Sequence, residues 1–262
     1  MQSTASVLEV EAVTKRFGAA GGAGDLTAIE RVSFSVGPGE FVAVVGPSGC
    51  GKSTILNLVA GLDAPSEGRV LLHRREVTGP DPSVGFMLQK DLLLPWRTIV
   101  RNVEFGLEAT PMAAAERRAR ALRELQRCRL TDFAASYPYQ LSGGMRQRAA
   151  LARTLAIEPS IVLLDEPFSA LDAQTKLILQ ESFAKTIAEA QITTVLITHD
   201  LMEAVAMSDR ILVMSERPGR IVEEIAVDLP GRDDPMARIT APRARDYVDH
   251  LFASLHLQEK AA

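Results

Sequence analysis

The stretch EFVAVVGPSGCGKSTILNLVAGL, residues 40–62, leaves this chain few choices of fold. It opens on a nearly continuous apolar run, the habit of a strand buried on both faces in a parallel sheet. Glycines follow, and the apolar residues after Lys52 recur at helical spacing. Gly46 and Gly51, separated by four residues and followed by Lys52 and Ser53, match the phosphate-loop pattern. The composition has a physical reason. Successive backbone N–H groups must point into one concavity, which needs backbone angles that glycine adopts cheaply, and the helix behind presents its N-terminus to the same anion. The expected anion-binding set is Gly46, Pro47, Ser48, Gly49, Cys50, Gly51, Lys52, Ser53 and Thr54. Lys52 would reach β- and γ-phosphates, Ser53 would ligate Mg²⁺, and Thr54 would bond the α-phosphate.

The rest of the chain supports an α/β fold with a mainly parallel sheet. SIVLLDE and ITTVLITHD are further buried-strand runs, each followed by a helical pattern, and RILVM is a shorter one. SVLEVEAVTKRF and AIERVSFSV alternate with period two and read as antiparallel strands around the loop GAAGGAG (18–24). Between Leu92 and Arg153 the reading is helical throughout. ERPGRIVEEIAVDLP reads as a hairpin turning at Pro218–Gly219, followed by a short terminal helix. The expected organisation is one domain over 1–262. Its α/β core spans 1–91 and 154–225 and includes the antiparallel N-terminal part; 92–153 is a helical subdomain and 226–262 a short C-terminal extension.

Two strand ends carry candidate chemistry. Asp165 and Glu166 close IVLLDE, where the first carboxylate can hold the Mg²⁺ water shell and the second can polarise a water. His199 ends VLITHD at the sheet edge where ligands of open α/β folds bind, and can hydrogen-bond a γ-phosphate or the attacking water. A net charge of −4 argues against nucleic-acid coating and against a polybasic membrane anchor. Two cysteines, Cys50 and Cys128, make no disulfide framework and no metal quartet. Cys50 reads as a tolerated small side chain rather than a redox sensor, and Cys128 as packing. The N-terminal segment has no signal-peptide pattern, and no apolar run approaches the ~18 residues of a spanning helix.

LSGGMRQR (141–148) places a second glycine pair before a second helix. With it, the order phosphate loop, Gln89 in FMLQKD, IVLLDE, SALD (169–172) and His199 resembles the ATP-binding subunit of an ABC transporter over nearly the whole chain. The resemblance implies an ABC ATPase that is a P-loop NTPase core with an antiparallel β subdomain and a helical insertion. It also implies ATP and Mg²⁺ as ligands, and two copies paired head to tail. Ser142, Gly143 and Gly144 would close over the γ-phosphate held by the other copy, the glycines letting backbone amides approach without a Cβ. Met145 stands where the family most often has glutamine. Phe17 would stack on adenine, or else be a core residue at a strand end. Gln89 would touch metal or water on closure, joining Ser53 and Asp165 at the metal, and Asp172 would lie at the dimer interface. The catalytic set on this reading is Glu166, His199, Lys52 and Gln89. Arg146 and Arg148 either form a solvated face or reach phosphate or the opposite subunit.

Leu92, Leu93, Leu94, Pro95 and Trp96 form an apolar cluster after Gln89, which either packs between subdomains or forms an exposed groove for a helix of a membrane permease. MLQKDLLLPWRTIVRNVEFGLE and MSERPGRIVEEI most resemble the importer branch for nitrate, alkanesulfonates, taurine and related solutes. That branch implies integral-membrane permease subunits and, indirectly, a solute-binding protein. It places the chain on the cytoplasmic face of the inner membrane, with no nucleic acid. The competing class is a soluble ABC-type ATPase acting on DNA or ribosomes, whose long coiled coils, zinc modules or tandem ATPase halves the sequence lacks.

Overall fold

A computed structural model describes residues 6–18, 26–169 and 171–259, the last four without their side chains. Most of the GAAGGAG loop, and Ala170 of SALD, lie outside the described residues. In chain order the elements are strands Leu8–Phe17 (β1), Leu26–Val36 (β2) and Phe41–Val45 (β3), helix Lys52–Val59 (α1), then strands Glu67–Leu72 (β4), Arg75–Glu76 (β5) and Val84–Met87 (β6). Helices Ile99–Glu104 (α2), Ala114–Arg127 (α3) and Gly143–Ala156 (α4) follow, then strand Ile161–Asp165 (β7), helix Ala173–Ala190 (α5) and strand Thr193–Ile197 (β8). The chain ends with helix Leu201–Met207 (α6), strands Arg210–Met214 (β9) and Ile221–Ala226 (β10), and helices Pro235–Thr240 (α7) and Ala244–Glu259 (α8).

Two sheets result. The central one has the order β10-β9-β3-β8-β7-β6 and is parallel except where β10 returns beside β9. Strands β3 and β8 are buried at every residue, β3 as an unbroken apolar run and β8 with two buried threonines ahead of Val195–Ile197. Alternate residues of β3 serve different cores. Val42 and Val44 pack with α1 and the second sheet, Ala43 and Val45 with α6 and α8. Because β3, β8 and β7 are parallel neighbours, the loops after them emerge at one edge. That juxtaposition brings together the phosphate loop, His199 and Asp165–Glu166.

The second sheet, β2-β1-β4-β5, is antiparallel. Its β1 does not keep the alternation read from sequence. The pairing slips between Val10 and Val13, and Ala12 sits at φ 48°, so one extra residue carries the inward face from Val10 to Val13. Helices α2, α3 and α4 pack together around Ile99, Val103, Leu125 and Leu151, and this core runs on to Leu164 of the central sheet. Helix α4 continues to Ala156, past residue 153. The C-terminal segment has two helices where one was expected. Leu251 of α8 is fully buried with α6, and the Arg238 guanidinium of α7 donates to the carbonyls of Ser208, Leu229 and Pro230. The tail is therefore part of the core.

Candidate active site

The phosphate loop wraps around its own lysine. Lys52 Nζ donates to the carbonyls of Gly46 and Pro47, both at 2.8 Å, and the residue is only 8% exposed. Glycine is required at 51, where φ is 104° and a Cβ would stand 2.4 Å from Ile29 Cγ2, so β2 closes one side of the loop. The Cys50 thiol is buried beneath it, and burial raises its pKa. Cys128 is also buried, its thiol pushed up to about 12 by desolvation, as suits a packing residue.

A cleft of ≈ 270 Å³ opens over the loop, lined by Ser48, Lys52 and Thr54 on the loop side and by Phe17, Glu166 and Arg217 around it. Phe17 is 41% exposed at the end of β1, not a core residue, and Lys15 Nζ lies 5.1 Å from its ring centroid. Ser53 Oγ donates to Asp165 Oδ1 at 3.1 Å. Burial raises the Asp165 pKa above 3.8, against the Ser53 hydrogen bond, and the charge of Glu166 adds to the rise. A hydroxyl and a desolvated carboxylate side by side form a hard-oxygen pair of the kind Mg²⁺ takes beside phosphate oxygens.

Glu166 is held at φ 47°, its N–H donating to the Ile197 carbonyl at 2.9 Å, and its Oε2 lies 3.1 Å from His199 Nδ1. Gln89 joins the group through Ser169: Gln89 Nε2 donates to Ser169 Oγ at 3.0 Å, and Ser169 Oγ donates to the Glu166 carbonyl at 3.0 Å. Behind it, Gln147 Nε2 of α4 donates to the Gln89 carbonyl at 3.0 Å.

The signature segment lies elsewhere. None of Ser142, Gly143 and Gly144 lines the cleft. Ser142 caps α4, its Oγ accepting from Met145 N at 3.3 Å, while Asp172 caps α5, accepting from Thr175 N at 3.0 Å. The two glycines differ in role. Around Gly143 a Cβ would find open space, its closest neighbour Arg146 Nη2 at 4.0 Å, but at Gly144 it would stand 2.4 Å from Thr175 Cγ2. Close approach of α4 to α5 therefore demands Gly144 whatever else the segment binds. Arg146 pairs with Asp91 at 3.0 Å and Arg148 donates to the Cys128 carbonyl at 3.3 Å, so both are engaged within their own chain.

Sequence reasoning missed Arg217. Its Nε and Nη2 donate to the Gly49 carbonyl at 3.1 and 2.8 Å, so its side chain lines the cleft while held against the phosphate loop. It arrives on the β9–β10 turn, which docks on β2 through Glu30 N to the Gly219 carbonyl and Gly219 N to the Ala28 carbonyl. The apolar cluster after Gln89 divides. Leu93 is buried, while Leu92 and Trp96 are 53% and 72% exposed, so the packing alternative does not hold for Trp96. No helix among the described residues is long and apolar enough to cross a membrane.

Comparison with known proteins agrees with this geometry. The family described as ABC transporter matches residues 29–169. An uncharacterized ABC transporter ATP-binding protein of Methanocaldococcus jannaschii is 48% identical over 222 residues, covering 85% of this chain and 82% of that protein. The taurine import ATP-binding protein TauB of Yersinia pseudotuberculosis is 44% identical over 205 residues, covering 78% and 80%. Among solved structures, a dimeric ATP-binding cassette in a post-hydrolysis state, bound to ADP and Pi, superposes with a TM-score of 0.74 at 35% identity, covering 85% of this chain and 99% of that one.

Proposed function

The chain belongs to the ABC transporter family and is an ATP-binding ATPase, and from that premise we propose that it powers a solute importer as one of two identical subunits docked on a permease. The observation that carries this reading is the split site: phosphate-loop residues and Glu166 line one cleft, Asp165 is hydrogen-bonded to Ser53 of that loop, and Ser142, Gly143 and Gly144 are not among the cleft's lining residues. A second copy, placed head to tail, supplies those residues to the open side of the cleft. Its Ser142 hydroxyl and the free N–H groups at the start of α4 then face the γ-phosphate. The similarity to a taurine importer's ATP-binding protein favours import of taurine, an alkanesulfonate, nitrate or a related small solute.

In this reading Lys52 leaves the carbonyls of Gly46 and Pro47 for the β- and γ-phosphates, and Phe17 stacks on adenine. Ser53 and Asp165, with Gln89 on closure, hold Mg²⁺, whose chemistry is to neutralise charge on the phosphate oxygens. Glu166 takes the proton of the attacking water as it adds to the γ-phosphorus, ADP leaves with the electrons of the broken P–O bond, and His199 fixes Glu166 and the γ-phosphate. Asp172 lies at the interface near the partner's site. ATP binding closes the dimer and hydrolysis reopens it, and the permease, engaged at Trp96 on the cytoplasmic face of the inner membrane, follows that cycle.

The test is gentle solubilisation of membranes from cells carrying a tagged chain. Recovery of a polytopic permease and a solute-binding protein is expected, with loss of both when Trp96→Ala is introduced at an unchanged melting temperature. Recovery from the soluble fraction alone, with DNA or ribosomes attached, sinks the importer reading.

A further inference from the structure

His199 is 62% exposed at its side chain, so packing does little to fix it. The chain on either side of it is fixed by a partly buried ion network, whose Glu203 is the buried member. Thr198 Oγ1 donates to Glu203 Oε2 at 2.8 Å and accepts from Asp200 N at 3.0 Å. Asp200 Oδ1 accepts from Glu203 N at 3.0 Å, capping α6. The cation that closes the network comes from another element. Lys176 Nζ of α5 lies 2.8 Å from Asp200 Oδ2 and 3.1 Å from Glu203 Oε2. Glu203 is 4% exposed and its Oε1 has no hydrogen-bond partner among the described residues, so its charge depends on Lys176 for compensation.

We propose that Lys176 is a positioning residue for hydrolysis: by neutralising Glu203 and gripping Asp200, it holds the Thr198–Asp200 turn so that His199 faces Glu166. The inference rests on the role given to His199 above. Lys176 also stands one turn after Asp172 on α5, its N–H donating to the Asp172 carbonyl at 2.9 Å. The same short helix segment therefore joins the residue assigned to the dimer interface to the turn that carries the histidine. Without Lys176, Asp200 loses its side-chain partner across the elements, and Glu203 must either take up a proton or draw in water. Either change frees the turn.

Lys176→Met alone strands a buried carboxylate and risks unfolding, so the informative variant is Lys176→Met with Glu203→Gln, which removes both charges and keeps a carbonyl acceptor for Thr198. In the full chain with Mg-ATP, the double variant is expected to melt cooperatively and bind ATP within about twofold of the parent. Its kcat falls about tenfold. The sequence holds four histidines, so ring resonances can be followed singly. That of His199 is expected to shift while those of His73 and His250 stay. Lys176→Arg restores most of the lost rate, and the double variant costs nothing further in a His199→Ala background. A folded double variant with full kcat, or with an unmoved His199 resonance, overturns the inference. If His199→Ala itself turns over at the parent rate, the role of His199 fails first. If His199→Ala is slow and the double variant fast, only the assignment of Lys176 falls.

Discussion

Adjacent carboxylates at one strand end are placed in different settings by a single step in burial and backbone. Glu166, turned into the cleft by its positive φ and held by His199, is expected to act as the base. Glu166→Gln keeps shape and removes basicity, so ATP binding should persist while turnover falls by at least ~10², with an ATP-bound dimer accumulating on gel filtration. Parent-like turnover there removes Glu166 from that role. Asp165 is a different case, a carboxylate whose pKa burial has raised. Between its ordinary value of 3.8 and its raised folded value, the native state binds more protons than the unfolded chain, so stability falls as pH rises through that window. Above it the cost is present in full. Asp165→Asn should therefore raise the melting temperature of the nucleotide-free protein at pH 7, the gain shrinking as acid protonates the parent, while Mg²⁺-dependent turnover is lost. A lower melting temperature at pH 7 contradicts that account and makes the Ser53 hydrogen bond the larger effect. Both carboxylates were legible in sequence because desolvating two acids at the end of a buried strand is costly unless a cation or a polar cleft meets them there. Arg217 was not, since the turn that delivers it reaches the loop from 168 residues away through backbone bonds that no local pattern encodes.

Elements explain what single residues could not in the signature segment. Sequence logic treats Gly143 and Gly144 alike, as positions where a Cβ would obstruct an approaching phosphate. The packing of α4 on α5 separates them, because Gly144 faces Thr175 and Gly143 faces solvent. Gly144→Ala should lower stability by about 1–2 kcal/mol, overpacking exceeding the gain in helix propensity, and thermal melting reads it directly. Gly143→Ala should leave the melting temperature level or slightly higher, yet cut turnover about tenfold, since its added methyl points where the partner's phosphate would come. Should Gly143→Ala turn over normally, close approach at that amide is not needed. The same lesson holds for β1. Its alternation announced a strand, but the extra residue at Ala12 was invisible because bulges answer to the neighbouring strand's register and not to the local pattern. The buried strands β3, β7 and β8 were read correctly for the converse reason: a strand covered on both faces has one composition whatever its neighbours are.

At the scale of the whole molecule, the phosphate loop and the signature segment of one chain do not line the same cleft. The cleft is lined by Lys52, Arg217 and Glu166, while Ser142, which caps α4, is not among its lining residues. The two-fold pairing proposed above would convert this into two complete sites, each made of one chain's phosphate loop and the other chain's Ser142–Gly144. That arrangement has a consequence a self-contained site cannot have. A chain with Lys52→Ala keeps its signature, and a chain with Ser142→Arg keeps its phosphate loop. Each variant alone should be inactive, with the Ser142→Arg monomer still binding ATP. Mixed one to one, about half of all randomly formed dimers carry both chains, and each mixed dimer contains one intact composite site. The mixture should therefore hydrolyse ATP, to about a quarter of the parent rate if the sites act independently and toward zero if both must fire together. The level reached thus measures coupling between the sites as well as their composition. Loss of ATP binding by the Ser142→Arg monomer would mean instead that the segment serves its own chain's cleft, and the split-site argument for head-to-tail pairing would fall.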